Sequence, residues 1–382
     1  MRYRYSAGKD GKLEKKAIIY TCDEHHINFA DVDADAITII KKLKGAGFET
    51  YIVGGAVRDL ILGKKPKDFD IVSAASPTRI KRIFRNSRII GRRFRLVHVY
   101  FGQRVFEVST FRSLADGHTS NTFGKIDEDV LRRDFTLNAL FYDPEQQIVI
   151  DYVGGMNDIK NKKIKPIIAL SEIFTDDPVR MIRAAKYAAK TGFTIPMNLK
   201  LKISSQCGLL TAISPSRLTE EIFKIIHSEK AAAIVELLEK MGLYAFLQPQ
   251  AANLMRKNVE FRKQYLQGML DLKDAANRRG QALGSLFYVY LDSINDWKPG
   301  SIDNFKEILR IVRTFVLPMN PPRFELEQAL KKYFALRGIT IKKPVFKPAL
   351  ISDAGDGIEK LKRKRKRRKK QIINKEQIIN NR

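Results

Sequence analysis

Cysteine is nearly absent: Cys22 and Cys207 are the two in 382 residues, and neither has a second cysteine at metal-ligand spacing. That excludes a disulfide framework and a cysteine-built zinc site. No apolar run approaches the roughly 18–20 residues that a membrane helix requires. The opening residues, MRYRYSAGKDGKLEKK, lack the apolar segment of a secretory signal, so the expected location is cytoplasmic. Acids are in deficit, with 42 Asp+Glu against 70 Lys+Arg and a net charge of +28. Solubility does not require a bias of that size; a polyanionic partner does, and nucleic acid is the usual one. The length suggests two or three domains with ample material for a core.

The most informative stretch is Tyr51 to Val72, YIVGGAVRDLILGKKPKDFDIV. Tyr51 to Val53 reads as a strand, Gly54-Gly55 as a turn, and Ala56 to Leu62 as a helix stopped by Gly63. Glycines at such a junction let backbone N–H groups approach phosphate oxygens without a Cβ between, and Arg58 adds a cation one turn in. Asp68-Phe69-Asp70 follows. On a strand, Asp68 and Asp70 share one face while Phe69 enters the other. Two carboxylates at roughly 4 Å repel by about 4 kcal/mol at an effective dielectric of about 20, so the pair either holds a proton or recruits a divalent cation. Beside a phosphate-binding turn the cation is the better reading, and magnesium suits two carboxylates plus substrate phosphates. Glu107, inside the alternating run RVFEVSTF, is a candidate third acid. A double glycine or a DxD alone is often a solvated turn; the order and spacing carry the signal.

Along the rest of the chain, residues 1–25 read as a basic, weakly structured extension, with His25 and His26 in a surface turn. Asp33 to Lys44 and Thr78 to Phe84 read as helices, and Ile89 to Phe101 as a basic edge strand turning at Gly102 to Arg104 into the Glu107 strand. Arg112 to Gly124 reads as a mobile loop. Asp127 to Tyr142, DEDVLRRDFTLNALFY, is expected as one amphipathic helix that turns Arg132 and Arg133 toward a nucleotide. Asp134 within it is either an orienting acid or an ordinary helix acid. Gln147 to Val153 adds a strand, and beyond Lys165 the pattern is helical. Asp176 to Lys190 reads as one helix with Asp177, Arg180 and Arg183 on one side, where an Asp and an Arg can present acceptor and donor groups to a base edge. Arg217 to His227 follows, then a bundle whose aromatics, including Tyr244, Phe287, Tyr290 and Trp297, belong mainly to its core. The run LKRKRKRRKK, ending at Lys370, cannot bury anything and should stay solvated, adding RNA affinity without sequence readout. The expected domains are 1–25 extension, 26–155 catalytic head, 156–230 neck, 231–345 body and 346–382 tail.

The strings GGAVRDLILGKKPKDFDIV, IIGRRFRLVHV, EVSTFR, LRRDFTLNALFYD, DYVGGMNDIK and DDPVRMIRAAKYAAKTGF, in this order, resemble bacterial poly(A) polymerases of the class II nucleotidyltransferase family shared with CCA-adding enzymes. The resemblance implies an α+β fold: a polymerase-β-like head, an all-α neck and body, and a disordered basic tail. It implies that Gly54, Gly55 and Arg58 meet a triphosphate, that Asp68 and Asp70 bind Mg2+, and that Arg133 touches the nucleotide. It offers Glu107 and Asp134 as alternatives for a third catalytic carboxylate, and Asp177 with Arg180, Arg183 beside them, as the pair that reads the incoming base. Asp176 stands where the family usually has Glu, and Lys186 where CCA-adding members often have Arg. The implied activity is AMP transfer from ATP to single-stranded RNA 3′ ends. GRRFRLVHV and the basic tail favour it over CCA addition to tRNA; a non-catalytic RNA-binding protein is the more distant alternative. No His-Asp phosphohydrolase motif is present.

Overall fold

The structure is a computed structural model and describes residues 2–7, 13–91, 95–113, 122–270, 279–294 and 302–341. It divides into two compact units, Met1–Glu221 with Lys230–Leu247, and Ile222–Glu229 with Gln248–Arg382. The first unit is built on one nine-stranded mixed sheet: β1 (Arg2–Ala7), β2 (Leu13–Tyr20), β3 (Thr50–Val53), β4 (Asp70–Ser73), β5 (Ser87–Ile90), β6 (Leu96–Phe101), β7 (Arg104–Thr110), β8 (Leu140–Asp143) and β9 (Ile148–Asp151). The strand order is β1-β2-β9-β8-β3-β4-β7-β6-β5. β4 and β7 pair in parallel; the remaining neighbours run antiparallel.

Alternation decides what each face does. Tyr51, Val53, Val72, Phe141 and Ile150 pack with Ala17, Ile126 and Val130 in one buried cluster, and Ile52, Ile71 and Leu140 are buried on the other face, so the central strands are covered on both sides. The helices Ala34–Gly45, capped by Asp33, and Pro77–Ile83, capped by Ser76, lie where their polar starts and apolar spacing predict. No named strand follows Asp151 among the described residues, so an α+β head is followed by helices. No described helix is long and apolar enough to cross a membrane.

Four local expectations are corrected. Residues 2–7 and 13–20 are not weakly structured: β1 and β2 pair with each other, and β2 pairs with β9. His25 is buried at 2 % exposure. Its Nδ1 accepts from the Ile27 N–H at 3.0 Å, so Nε2 donates to the Gln147 carbonyl, also at 3.0 Å. Burial holds its pKa below the usual imidazole value, and the ring is a neutral fastener rather than a surface turn. Asp127 to Tyr142 is no single helix: a short helix, Ile126–Leu131, gives way to a 3-10 turn, Thr136–Asn138, and then to β8. The apolar Leu140–Tyr142 run is claimed by pairing with β3 and β9, a tertiary effect that overrides helical periodicity. Asp176 to Lys190 breaks at Asp177-Pro178, separating the turn Ile173–Asp176 from the helix Val179–Thr191; Pro178 has no N–H to continue a ladder.

The second unit is helical. The Tyr290 and Phe315 rings stack with centroids 4.0 Å apart, and the buried Gln248 Nε2 donates to the Val316 carbonyl at 3.0 Å. Phe287 is buried here, as Tyr244 is in the first unit. Arg92, Arg93, Trp297, the centre of the expected loop and the basic tail lie outside the described residues.

Candidate active site

β3 ends at Val53, directly opposite Asp70, the first residue of β4. Between that strand end and the helix Gly55–Ile61 stands Gly54, with φ 76° and ψ −134°, a conformation open to glycine and strained for any residue with a Cβ. A Cβ placed on Gly54 would stand 3.7 Å from Asp70 Oδ2. The glycine corner and the second aspartate are therefore neighbours across one strand pair. Only Asp70 lies in β4; Asp68 and Phe69 precede the strand, and both aspartates are exposed while Phe69 is 7 % exposed. The helix has only seven residues, so bare corner amides rather than a long macrodipole make this spot attractive to anions.

Arg58 lies under the corner. It is 3 % exposed, donates from Nε to Asp59 Oδ1 at 2.8 Å and from Nη1 to Asn138 Oδ1 at 2.7 Å, and a Cβ on Gly55 would stand 3.4 Å from its Nη2. Its guanidinium carbon is 5.8 Å from the Tyr187 ring centroid. The cation is fixed by protein partners, and Asn138 sits at the end of the 3-10 turn. That turn is braced in its own way. The buried Asp151 carboxylate accepts from the N–H groups of Val153, Gly154, Gly155 and Met156 at 2.8–3.0 Å. This presses Gly155 against Thr136, where a Cβ would stand 2.4 Å from the carbonyl oxygen. Gly155→Ala should overpack this point by about 1–3 kcal/mol, lowering the melting temperature by about 2–12 °C. Thermal unfolding followed by circular dichroism checks it; an unchanged midpoint would detach Gly155 from the brace.

Sequence reading missed Asp129. It is fully buried, and both expected nucleotide-facing arginines close on it. Arg132 Nε donates to Oδ1 at 2.7 Å, Arg133 Nη2 and Nε donate to Oδ2 at 2.7 and 3.1 Å, and the Arg112 N–H adds a bond to Oδ1 at 3.2 Å. Burial would raise the Asp129 pKa, but the charges of Arg133 and Arg132 outweigh it and hold it below the usual value. Arg132 shares that counter-ion and is itself buried beside Arg133 and Arg112, so it is pulled down to about 10 and remains charged at neutral pH. The spacing of Asp129 to Arg132 and Arg133, three and four residues, was the available signal. Arg133 also lies over Phe141, 5.3 Å from its centroid.

The two candidates for a third acid differ. The register that sets Ile71 beside Val108 brings Glu107 alongside Asp70 on the same face; it is exposed, with His98 Nε2 at 3.4 Å. Asp134 accepts from the Phe135 N–H at 2.8 Å and faces Arg183 Nη1 at 3.6 Å, turned toward the Val179–Thr191 helix. No group of three or more His, Cys, Asp or Glu that could hold a metal ion occurs among the described residues. Asp70 stands beside the corner and Asp68 is exposed two residues before it, so two hard-oxygen carboxylates that fit Mg2+ when phosphates and water complete the shell lie at the start of β4.

The base-reading candidates are all engaged by protein. Asp177 Oδ1 accepts from the Val179 N–H at 3.1 Å and Oδ2 from Arg217 Nη2 at 2.5 Å. Arg180 donates to the Ile173 carbonyl at 3.0 Å and pairs with Asp176, so it does not pair with Asp177. Burial works against the charge on Arg183, but Asp134, Tyr187, Glu221 and Asp177 outweigh it and raise its pKa. Glu221 also accepts from Lys186 Nζ at 2.9 Å.

Comparison with known proteins now bears on this geometry. Residues 50–165 match the family model "Poly A polymerase head domain", and residues 192–255 match "Probable RNA and SrmB- binding site of polymerase A". The chain is 40 % identical to Poly(A) polymerase I of Escherichia coli O157:H7 over 252 residues, covering 62 % of this chain and 54 % of that protein. Residues 50–165 therefore carry a head domain of the kind that this family model describes. A second relative, the CCA-adding enzyme of Geobacillus kaustophilus, is 36 % identical over 239 residues, covering 60 % of this chain and 59 % of that protein. Among solved structures, the Bacillus stearothermophilus CCA-adding enzyme in complex with CTP superposes with a TM-score of 0.55 at 26 % identity, covering 79 % of this chain and 82 % of that one. The chain spans about half the length of the curated relatives it matches. The head match spans Gly54 through Asp134, whereas Asp177, Arg180 and Arg183 fall between the two matched segments.

Proposed function

We propose that the chain is a template-independent polynucleotide adenylyltransferase, joining AMP from ATP to the 3′ end of single-stranded RNA and releasing pyrophosphate. The observation that carries the reading is the juxtaposition of the Gly54 corner with Asp70 across β3 and β4. Asp68 and Asp70 would hold Mg2+, which when bound supplies positive charge to the attacking and leaving oxygens. The corner amides take phosphate oxygens, with Arg58 as a fixed cation beneath them. Arg133, steadied by Asp129 and Phe141, touches the nucleotide, and Glu107, alongside Asp70, or Asp134 is the further catalytic acid. The RNA 3′-oxygen bonds to the α-phosphorus as the bond to the β-phosphate bridge breaks, and the hydroxyl proton passes to solvent. No protein nucleophile is needed.

Asp177 and Arg180, with Arg183 beside them, read the base, which requires Arg217 and Asp176 to release their present partners. The +28 charge supports an RNA substrate. A second reading, CCA or CC addition to tRNA, is favoured by relatives of that name at 35–36 % identity. One assay separates them: mixed ATP and CTP offered with a tRNA lacking its end and with an unstructured oligoribonucleotide. Long A tracts on both support the proposal, and short C-containing additions confined to tRNA replace it.

A further inference from the structure

Three strands carry polar side chains in one lateral row beside the Gly54 corner. β4 and β7 run parallel with Ile71 beside Val108, so Asp70 and Glu107 are neighbours, and β6 sets His98 opposite Glu107 on the far side. Residues in register across a sheet share a face, so the order on that face is Asp70, Glu107, His98, at strand spacings of about 4.8 Å. His98 Nε2 stands 3.4 Å from Glu107 Oε1, with the side chains 25 % and 55 % exposed. Among the described residues Glu107 has no other side-chain partner. Tyr100, two residues along β6 and on the same face, meets the His98 ring edge-on with centroids 6.4 Å apart.

Two carboxylates on neighbouring strands repel each other, and a long, exposed Glu side chain left alone would swing out to solvent. A ring nitrogen facing an ionised carboxylate must be the donor, because the carboxylate only accepts. His98 thus offers Glu107 an N–H within the row, which offsets the repulsion and narrows the positions the carboxylate visits. We propose that His98 is a positioning residue: it keeps the Glu107 carboxylate in line with Asp70, and so makes Glu107 rather than Asp134 the further catalytic acid. Asp134 is turned the other way, toward Arg183. Tyr100 limits rotation of the ring that does the holding. This assignment deepens the adenylyltransferase reading above and rests on it.

The test is a double-mutant cycle on the full chain, with kcat and KM read from RNA extension on whichever nucleotide, ATP or CTP, the parent incorporates. Glu107→Ala should lower kcat about a hundredfold. His98→Ala should lower it about tenfold with nucleotide KM within about twofold, and His98→Gln, whose amide N–H reaches the same place, should recover most of that loss. In the Glu107→Ala background, His98→Ala should cost no more than about twofold further. A His98→Ala loss of equal size in both backgrounds, or parent-like kcat in either single variant, overturns the assignment. Should His98→Ala fail to fold by circular dichroism, or the parent extend no RNA, imidazole 15N resonances decide instead. The His98 Nε2 resonance should then move in Glu107→Ala while those of the other histidines stay, and an unmoved resonance overturns the contact. Absence of extension, or C addition confined to tRNA, would sink the adenylyltransferase reading while leaving the His98–Glu107 result standing.

Discussion

Asp70→Asn is expected to lower AMP incorporation about a thousandfold while RNA affinity stays within about twofold. Asp70 opens β4 and is exposed, and its carboxylate stands beside the Gly54 corner, so its removal takes charge from the proposed metal site without disturbing the packed strand. A divalent cation supplies several kcal/mol to such a transfer, and about 4 kcal/mol is about three decades in rate. Single-turnover incorporation and fluorescence anisotropy on the same preparation check both halves. Equal loss of binding and rate would place Asp70 in RNA binding, and an unchanged rate would remove it from the chemistry.

Asp129→Asn should have the largest effect on stability. The carboxylate is fully buried between Arg132 and Arg133, and removing its charge leaves two guanidinium groups with no counter-ion there. Breaking a buried pair from one side costs about 3–5 kcal/mol, a fall of about 6–20 °C in melting temperature at this size. The pH dependence has a definite sign. Because Asp129 holds its proton less tightly folded than unfolded, unfolding takes up a proton below about pH 4. Its contribution is complete above that pH and is lost as pH falls through the folded value. Denaturation midpoints across the acid range should drop more steeply for the parent chain than for Asp129→Asn. Parallel curves would mean that the carboxylate has the same proton affinity folded and unfolded. AMP incorporation should fall as well, because Arg133 loses the partner that steadies it.

The parts legible in the sequence were those fixed by neighbours along the chain. Strand, double glycine, helix and the Asp-Phe-Asp alternation all follow from local periodicity, and each occurs within a residue or two of where the pattern put it. The turn at Gly102 carries Glu107 back alongside β6 for the same reason. What was not legible depends on partners far away in sequence. β8 looks helical by spacing until β3 and β9 take it up, and β2 looks like a loose basic segment until β9 offers an edge. Asp129 carried a helical salt-bridge spacing, yet its shared, fully buried role needs the Arg112 backbone, which lies just past the end of β7. Asp177 and Arg180 lie within three residues of each other but take different partners, because Arg217 arrives from another helix and Asp176 stands nearer to Arg180.

The central claim is that Asp68, Asp70 and the Gly54 corner hold one metal-bound triphosphate. Anomalous diffraction from crystals soaked with Mn2+ and a non-hydrolysable ATP analogue tests it most directly. The account predicts an anomalous peak within about 2.5 Å of oxygens from both aspartates, with triphosphate density against the Gly54 and Gly55 amides. A peak bound to neither aspartate, or a triphosphate seated away from the corner, would contradict it.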